Sequence, residues 1–279
     1  MPFFTLFNEF LILFLPYFLI FLFGLFVGSF LNVVADRSCR GEGFLSGRSY
    51  CEFCKTVLKV ADLVPVFSFL ASFGVCRYCK RKLSIVYPLS EVLTGLMFVL
   101  ALSLSNYATA PSVGTFGKLI FLLLVFSAYI AIFLADFKYQ LIPNIVVIPA
   151  TVFVGVIKLL SFFVNSGGLA DFGVNLLTAF LLAGFFWILH LVTKGKGMGF
   201  GDVRLALLIG LFHNFPQNIV AIFGSFVIGA VFSLLLMLFG RAGMKTKIAF
   251  GPFMVISSVL TLVFGGDIVA WYMSLLFGL

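Results

Sequence analysis

Gly197-Met198-Gly199-Phe200-Gly201-Asp202 is the stretch on which the reading of this chain turns. It lies between two long apolar segments and ends in a carboxylate at the edge of one of them. Placing an ionisable group at the margin of a hydrocarbon-sized helix is costly, so its presence there calls for a reason. The glycines at 195, 197, 199 and 201 carry no Cβ, which opens backbone conformations closed to other residues and lets another chain come close. A side-chain-poor approach ending in one acid suits a site where an extended peptide lies against the protein and the acid acts on it. A glycine-rich loop with a solvated Asp202 fits the same six residues equally well. A second acid must be found before the stretch becomes chemistry.

The surroundings exclude a soluble globular protein. Of 279 residues, 62% are hydrophobic and only 10% charged, and the mean hydropathy is +1.22. A bilayer crossing needs about 20 apolar residues. Such segments are expected at 10–35, 88–107, 117–135, 144–163, 172–193, 217–240 and 252–275, with a shorter eighth at 203–213. The fold class is therefore an all-α polytopic membrane protein of about eight transmembrane helices, with one small cytoplasmic zinc-binding loop domain. Residues 1–9 hold Glu9 and no basic residue, so the first segment reads as a retained membrane helix rather than a cleaved signal. Within it, Gly24-Leu25-Phe26-Val27-Gly28 offers a small-residue face for close helix contact.

The formal charge of +8 could point to nucleic acid. In a membrane chain the better reading is that Lys and Arg collect on the cytoplasmic side, and no nucleic-acid partner is expected. Placing the polar stretch 36–86 inside also puts the loops around 136–143, 194–202 and 241–251 inside. Every Lys and Arg except Lys118 and Lys158 then falls on that side, Arg241 and Lys245 included. The two exceptions stand near helix ends, where long side chains can reach outward. Both termini are expected outside. The domain reading is 1–35 as the first transmembrane helix, 36–86 as the cytoplasmic cysteine domain and 87–279 as the transmembrane catalytic domain.

This topology leaves one partner for Asp202. Glu9, Asp171 and Asp267 fall on the outer side, Asp36, Glu42, Glu52 and Asp62 lie in the polar stretch, and Glu91 sits just inside the second span. Asp136 remains, at the inner end of the 117–135 span, with Pro143 breaking any helix that continues from it. Two carboxylates at one depth fit an aspartyl protease. One takes a proton from water while the other, protonated, polarises the scissile carbonyl. The competing reading, in which each Asp caps a helix or pairs with Lys138 or Arg204, stays open at this stage.

Further motifs bear on the choice. Gly28-Ser29-Phe30-Leu31-Asn32 ends the first span. Arg48-Ser49-x-Cys51-x-x-Cys54, Asp62-x-x-Pro65, Cys76-x-x-Cys79 and Tyr87-Pro88-Leu89-x-Glu91 follow, and Phe250-Gly251-Pro252-Phe253 precedes the last span. In this order, with Asp136 before Ile142-Pro143-Asn144 and with Gly199-Phe200-Gly201-Asp202, the chain resembles the bifunctional type IV prepilin peptidases, membrane aspartic proteases with a Gly-x-Gly-Asp motif. It departs slightly at Ala135, Phe137 and Asn144. The resemblance implies Asp136 and Asp202 as catalytic residues, with Gly199 and Gly201 along the substrate approach. It also implies prepilins or pseudopilins as substrates, and removal of their leader at the cytoplasmic face of a bacterial inner membrane. Methylation of the new N-terminus by S-adenosylmethionine would follow. A monofunctional peptidase is the nearest alternative. A small transporter is a more distant one, because the middles of the apolar spans carry almost no ionisable groups.

Cys51-Glu52-Phe53-Cys54 and Cys76-Arg77-Tyr78-Cys79 are separated by residues 55–75, close to the spacing of four-cysteine zinc sites. Four thiolates leave a tetrahedral zinc no open position, so the metal would be structural and proteolysis would need none. A polar stretch this short has little core of its own, which makes a metal staple reasonable. Cys39 is left as a free thiol. No glycine-rich strand-to-helix fingerprint marks a place for S-adenosylmethionine. Glu91 is the one candidate for orienting the amine to be methylated, and a capping role at the start of its helix explains it equally well.

Overall fold

The computed structural model describes residues 2–44, 47–165, 168–240, 243 and 246–278, with side chains from residue 14 onward, 165 and 277 excepted. Arg241, Lys245 and the side chain of Glu9, which enter the charge reading, lie outside the described residues. The described residues form α1 (Pro2–Arg40), α2 (Phe67–Ala71), α3 (Val86–Ser105), α4 (Val113–Tyr139), α5 (Asn144–Asn165), α6 (Leu169–Val192), α7 (Phe200–Phe212), α8 (Gln217–Leu238) and α9 (Gly251–Phe277). Seven of these are long and apolar enough to cross a membrane. The chain is all-α, as its composition requires, and each expected span coincides with a helix. The eighth expected span is α7, with 13 residues, or about 20 Å at 1.5 Å per residue.

The chain divides into two compact units, Met1–Leu134 and Ala135–Leu279, with the division inside α4. In the first unit, α1 and α3 pack backbone to backbone. A Cβ added to Gly24 would lie 2.6 Å from the Cα of Gly95, and one added to Gly28 would lie 2.8 Å from the Cα of Glu91. This is the close contact that small residues permit in membranes. Asn32 Nδ2 strengthens it, donating to Ser90 Oγ at 2.8 Å and to Gly28 O at 3.1 Å.

The second unit is built around its shortest helix. α7 packs against α5, α6, α8 and α9, and from Leu208 to Phe212 every residue is buried. A helix apolar on all sides is one enclosed on all sides. The crossing with α6 is tight, since a Cβ on Gly210 would meet the Cα of Ala179 at 2.9 Å. Where α7 ends, Lys158 of α5 donates from Nζ to His213 O at 3.1 Å and to Asn214 Oδ1 at 2.7 Å. The ammonium thus answers the backbone carbonyl of His213, the C-cap of α7, and the side-chain oxygen of the next residue.

Candidate active site and metal centre

Asp136 lies in the last turn of α4 and is 6% exposed. Its Oδ2 accepts the N–H of Gly251, the first residue of α9, at 2.9 Å. A Cβ at Gly251 would stand 2.6 Å from that same oxygen, so only glycine lets the backbone come this close. Past Asp136 the chain leaves the helix through Gln140 in a left-handed conformation (φ 51°), and Pro143 precedes the start of α5 at Asn144.

Asp202 occupies the first turn of α7, and its Oδ2 accepts the N–H of Gly199 at 3.0 Å. The carboxylate therefore closes its own helix N-terminus, as one competing reading anticipated. The acid also has a second neighbour. Burial pushes the Asp202 pKa up to about 6, the charge of Asp136 adds to the rise, and the Gly199 N–H works against it. The two carboxylates are thus electrostatically in contact within one unit. Pairing of Asp202 with Arg204 is not what the structure shows: Arg204 turns to Asn144 Oδ1 and lies over the Phe200 ring, 4.7 Å from its centroid.

The glycines around Asp202 divide in role. Gly199 is the N-cap of α7, with extended backbone. Gly201 faces the protein itself: a Cβ there would stand 2.8 Å from the Cβ of Ile142. Its bareness lets the first turn of α7 sit on the segment that follows Asp136. Upstream, His190 Nδ1 donates to Met198 O at 2.8 Å, tying the loop back to α6. Two residues of the site, Ile142 and Gly251, were in motifs quoted from the sequence, but nothing in the sequence gave them a task.

In the first unit, Cys51, Cys54, Cys76 and Cys79 bring their sulfurs within 4.8 Å of one another. Each pair sits in the same backbone turn. Lys55 N–H donates to Cys51 O at 2.9 Å and Lys80 N–H to Cys76 O at 2.9 Å. Both lysines are left-handed (φ 56° and 59°), and isolated antiparallel bridges, Tyr50 with Val57 and Val75 with Lys82, flank the turns. Cys51 and Cys79 stand 4.0 Å apart sulfur to sulfur, too far for a disulfide. That distance is close to the roughly 3.8 Å edge of a tetrahedron with Zn–S bonds of about 2.3 Å. The donor set and its spacing fit zinc. Cys39 is not part of this cluster.

Glu91, buried near the start of α3, accepts the N–H of Val66 at 2.7 Å. Val66 is left-handed (φ 60°), a conformation that β-branched residues rarely adopt. Glu91 therefore steadies the polar stretch rather than its own helix end.

Comparison with known proteins accounts for both units. Residues 22–104 match the bacterial peptidase A24 N-terminal domain, and residues 121–234 match the type IV leader peptidase family. A prepilin leader peptidase/N-methyltransferase of Bacillus subtilis (strain 168) is 29% identical over 93% of this chain and 99% of its own length. The protein of that name from Stutzerimonas stutzeri is 30% identical over 90% of this chain and 91% of its own. One from Aeromonas salmonicida (strain A449) is 28% identical over 92% and 93%. No solved structure matches. With both of these family matches in succession and relatives aligned along nearly its whole length, the chain belongs to the type IV leader peptidase family.

Proposed function

We propose that this protein removes the leader peptide of prepilins or pseudopilins with Asp136 and Asp202, at the cytoplasmic face of a bacterial inner membrane, and then methylates the new N-terminal residue. What supports the reading is that each of the two carboxylates is held by one backbone N–H and that the charge of Asp136 acts on Asp202. In the reaction one carboxylate accepts a proton from the attacking water. The other, protonated, donates its proton to the oxygen of the scissile carbonyl, and the proton taken from water then passes from the first carboxylate to the leaving amine. Gly251 and Gly199 keep the two acids oriented while their protonation states change. The substrate's apolar helix would stay in the bilayer and its basic leader in the cytoplasm, which brings the scissile bond to the membrane edge.

S-adenosylmethionine would supply the methyl group for the second step. The four cysteines would hold one structural zinc that ties 47–83 together and takes no part in either reaction. Purified protein incubated with a prepilin tests the peptidase half. Asp136→Asn and Asp202→Asn should each abolish cleavage while the protein still inserts, and full cleavage by either variant would overturn the assignment. Labelled S-adenosylmethionine in the same reaction separates the bifunctional enzyme from a monofunctional peptidase, since only the former places label in the mature pilin.

A further inference from the structure

The methyltransferase half of that reading needs a pocket, and the sequence offers no fingerprint for one. The first unit contains a cavity of about 490 Å³ bounded by the cysteine turns and the facing ends of α1 and α3. That volume is within the range of about 300–1,000 Å³ typical of small-molecule sites. Its wall is unusual for a chain with +8 formal charge: Asp36, Glu42, Glu52, Asp62 and Glu91 all line it, half of the ten acids in the sequence. Some of these acids already have cationic partners. Glu52 pairs with Arg40, and Asp62 with Arg77 at 3.2 Å.

Glu91 and Asn32 differ from those. Glu91 is 7% exposed, and among the described residues it forms no ion pair. A buried carboxylate without a cation is costly unless something brings one. Asn32 is 3% exposed, and its Oδ1 has no hydrogen-bond partner, although its Nδ2 is fully engaged with α1 and α3. Orphaned buried acceptors of this kind are rare in folded proteins. Both residues belong to the wall of the cavity. They are neighbours, because Asn32 bonds to Ser90 and the residue after it is Glu91. Tyr50, Phe53, Tyr78 and Tyr87 add aromatic surface to the same cavity.

We propose that this cavity is the S-adenosylmethionine pocket, with Glu91 and Asn32 Oδ1 as acceptors for the cofactor's cationic and N–H groups and the aromatic wall as the seat of its adenine. The inference rests on the methyltransferase reading above and adds a location to it. S-adenosylmethionine carries a sulfonium, an ammonium, a carboxylate, a ribose diol and a flat base. A half-enclosed, aromatic cavity whose wall carries five acids beside Arg37, Arg40, Arg77 and Lys82, with an orphaned acceptor on Asn32 and a carboxylate on Glu91 that has no cation, matches that set. Glu91 thereby gains a role distinct from its contacts with Val66 N–H and the Ser29 side chain.

Equilibrium dialysis of labelled S-adenosylmethionine against the full-length, zinc-loaded protein in detergent tests the pocket. Wild-type protein should bind it saturably. Glu91→Gln, which removes the charge, and Ser72→Trp, which fills part of the cavity, should each weaken binding at least tenfold at unchanged zinc content and Tm. Wild-type affinity in both variants would overturn the location while leaving the methyltransferase reading intact. No binding by wild-type protein that still cleaves a prepilin would overturn both. Photolabelling of wild-type protein with an azido-adenine analogue of the cofactor gives a readout independent of variant folding. Crosslinks within residues 29–91 support the pocket, and crosslinks only outside that stretch overturn it.

Discussion

Gly201→Ala separates two explanations of the glycine-rich approach to Asp202. If the glycines serve an incoming peptide, a methyl group at 201 obstructs substrate and raises KM. The geometry argues for a different effect. The added Cβ would stand 2.8 Å from Ile142 Cβ and 3.3 Å from its Cγ1, where ordinary contact begins near 3.4 Å. Ile142 Cβ is fixed to the backbone and cannot rotate away, so the first turn of α7 and the segment before Pro143 must part by about half an ångström. Asp202 is the next residue on that turn, and Asp136 lies just upstream of that segment, so the separation falls on the distance between the acids. Overpacking costs about 1–3 kcal/mol, and replacing glycine by alanine within a helix returns about 0.5–1 kcal/mol. The net loss of stability is on the order of 1 kcal/mol, a fall of a few degrees in Tm. Catalysis suffers more, since displacing a reacting group by about 1 Å costs about 10²-fold; here a loss of about 10- to 100-fold in kcat is expected, with KM little changed. Gly199→Ala is the control: its Cβ would meet Asp202 Oδ2 at 3.4 Å, an ordinary contact, and its effect should be slight. Cleavage of a purified prepilin, with kcat and KM measured separately beside Tm, reads all of this. Wild-type kcat in Gly201→Ala would refute the packing argument. A raised KM in both variants would return the glycines to the substrate.

Other expectations follow from the same geometry. Purified protein should carry close to one zinc per chain, and Cys51→Ser should lower that content and open residues 47–83 to limited proteolysis; metal-free protein as protease-resistant as the native form would sink the zinc assignment. Gly24→Ala should cost about 1–3 kcal/mol or more, because its Cβ meets backbone of Gly95 at 2.6 Å that cannot turn aside. Gly184→Ala, whose Cβ meets nothing within 4 Å, should be neutral or slightly stabilising. Thermal unfolding of the two variants side by side tests the difference, and equal Tm values would contradict it.

The long helices were legible because length and hydropathy alone determine them: each apolar run in the sequence overlaps one helix, with α1 and α4 running beyond their runs at both ends. α7 was the segment hardest to read as a span, being short and ending in a polar turn at His213-Asn214. Both traits follow from its place at the centre of the second unit, where it meets other helices on all sides and needs neither a membrane's length nor an amphipathic stripe. The acids and cysteines were legible for a different reason. Ionisable and thiol groups are scarce in this chain, so elimination and spacing could find them. The contacts that position the acids were not, since Gly251 to Asp136 and Gly201 to Ile142 join residues far apart in the chain.

The same limit explains why the glycine-rich stretch was ambiguous. A missing Cβ records that something comes close, and it is silent on whether the visitor is a substrate or the protein's own chain. At Gly201 the visitor is Ile142, and the consequence is mechanistic. An acid on a mobile loop would spend part of its time out of range of its partner. An acid in the first turn of a buried helix, pressed against the segment that follows the other acid, has little such freedom. Asp202 gains further restraint by bonding to Gly199 N–H, which makes the carboxylate a cap for the helix that carries it. Under the proposed function, the capping and catalytic readings of Asp202, set against each other on sequence alone, describe one arrangement: the cap would be how the acid is aimed.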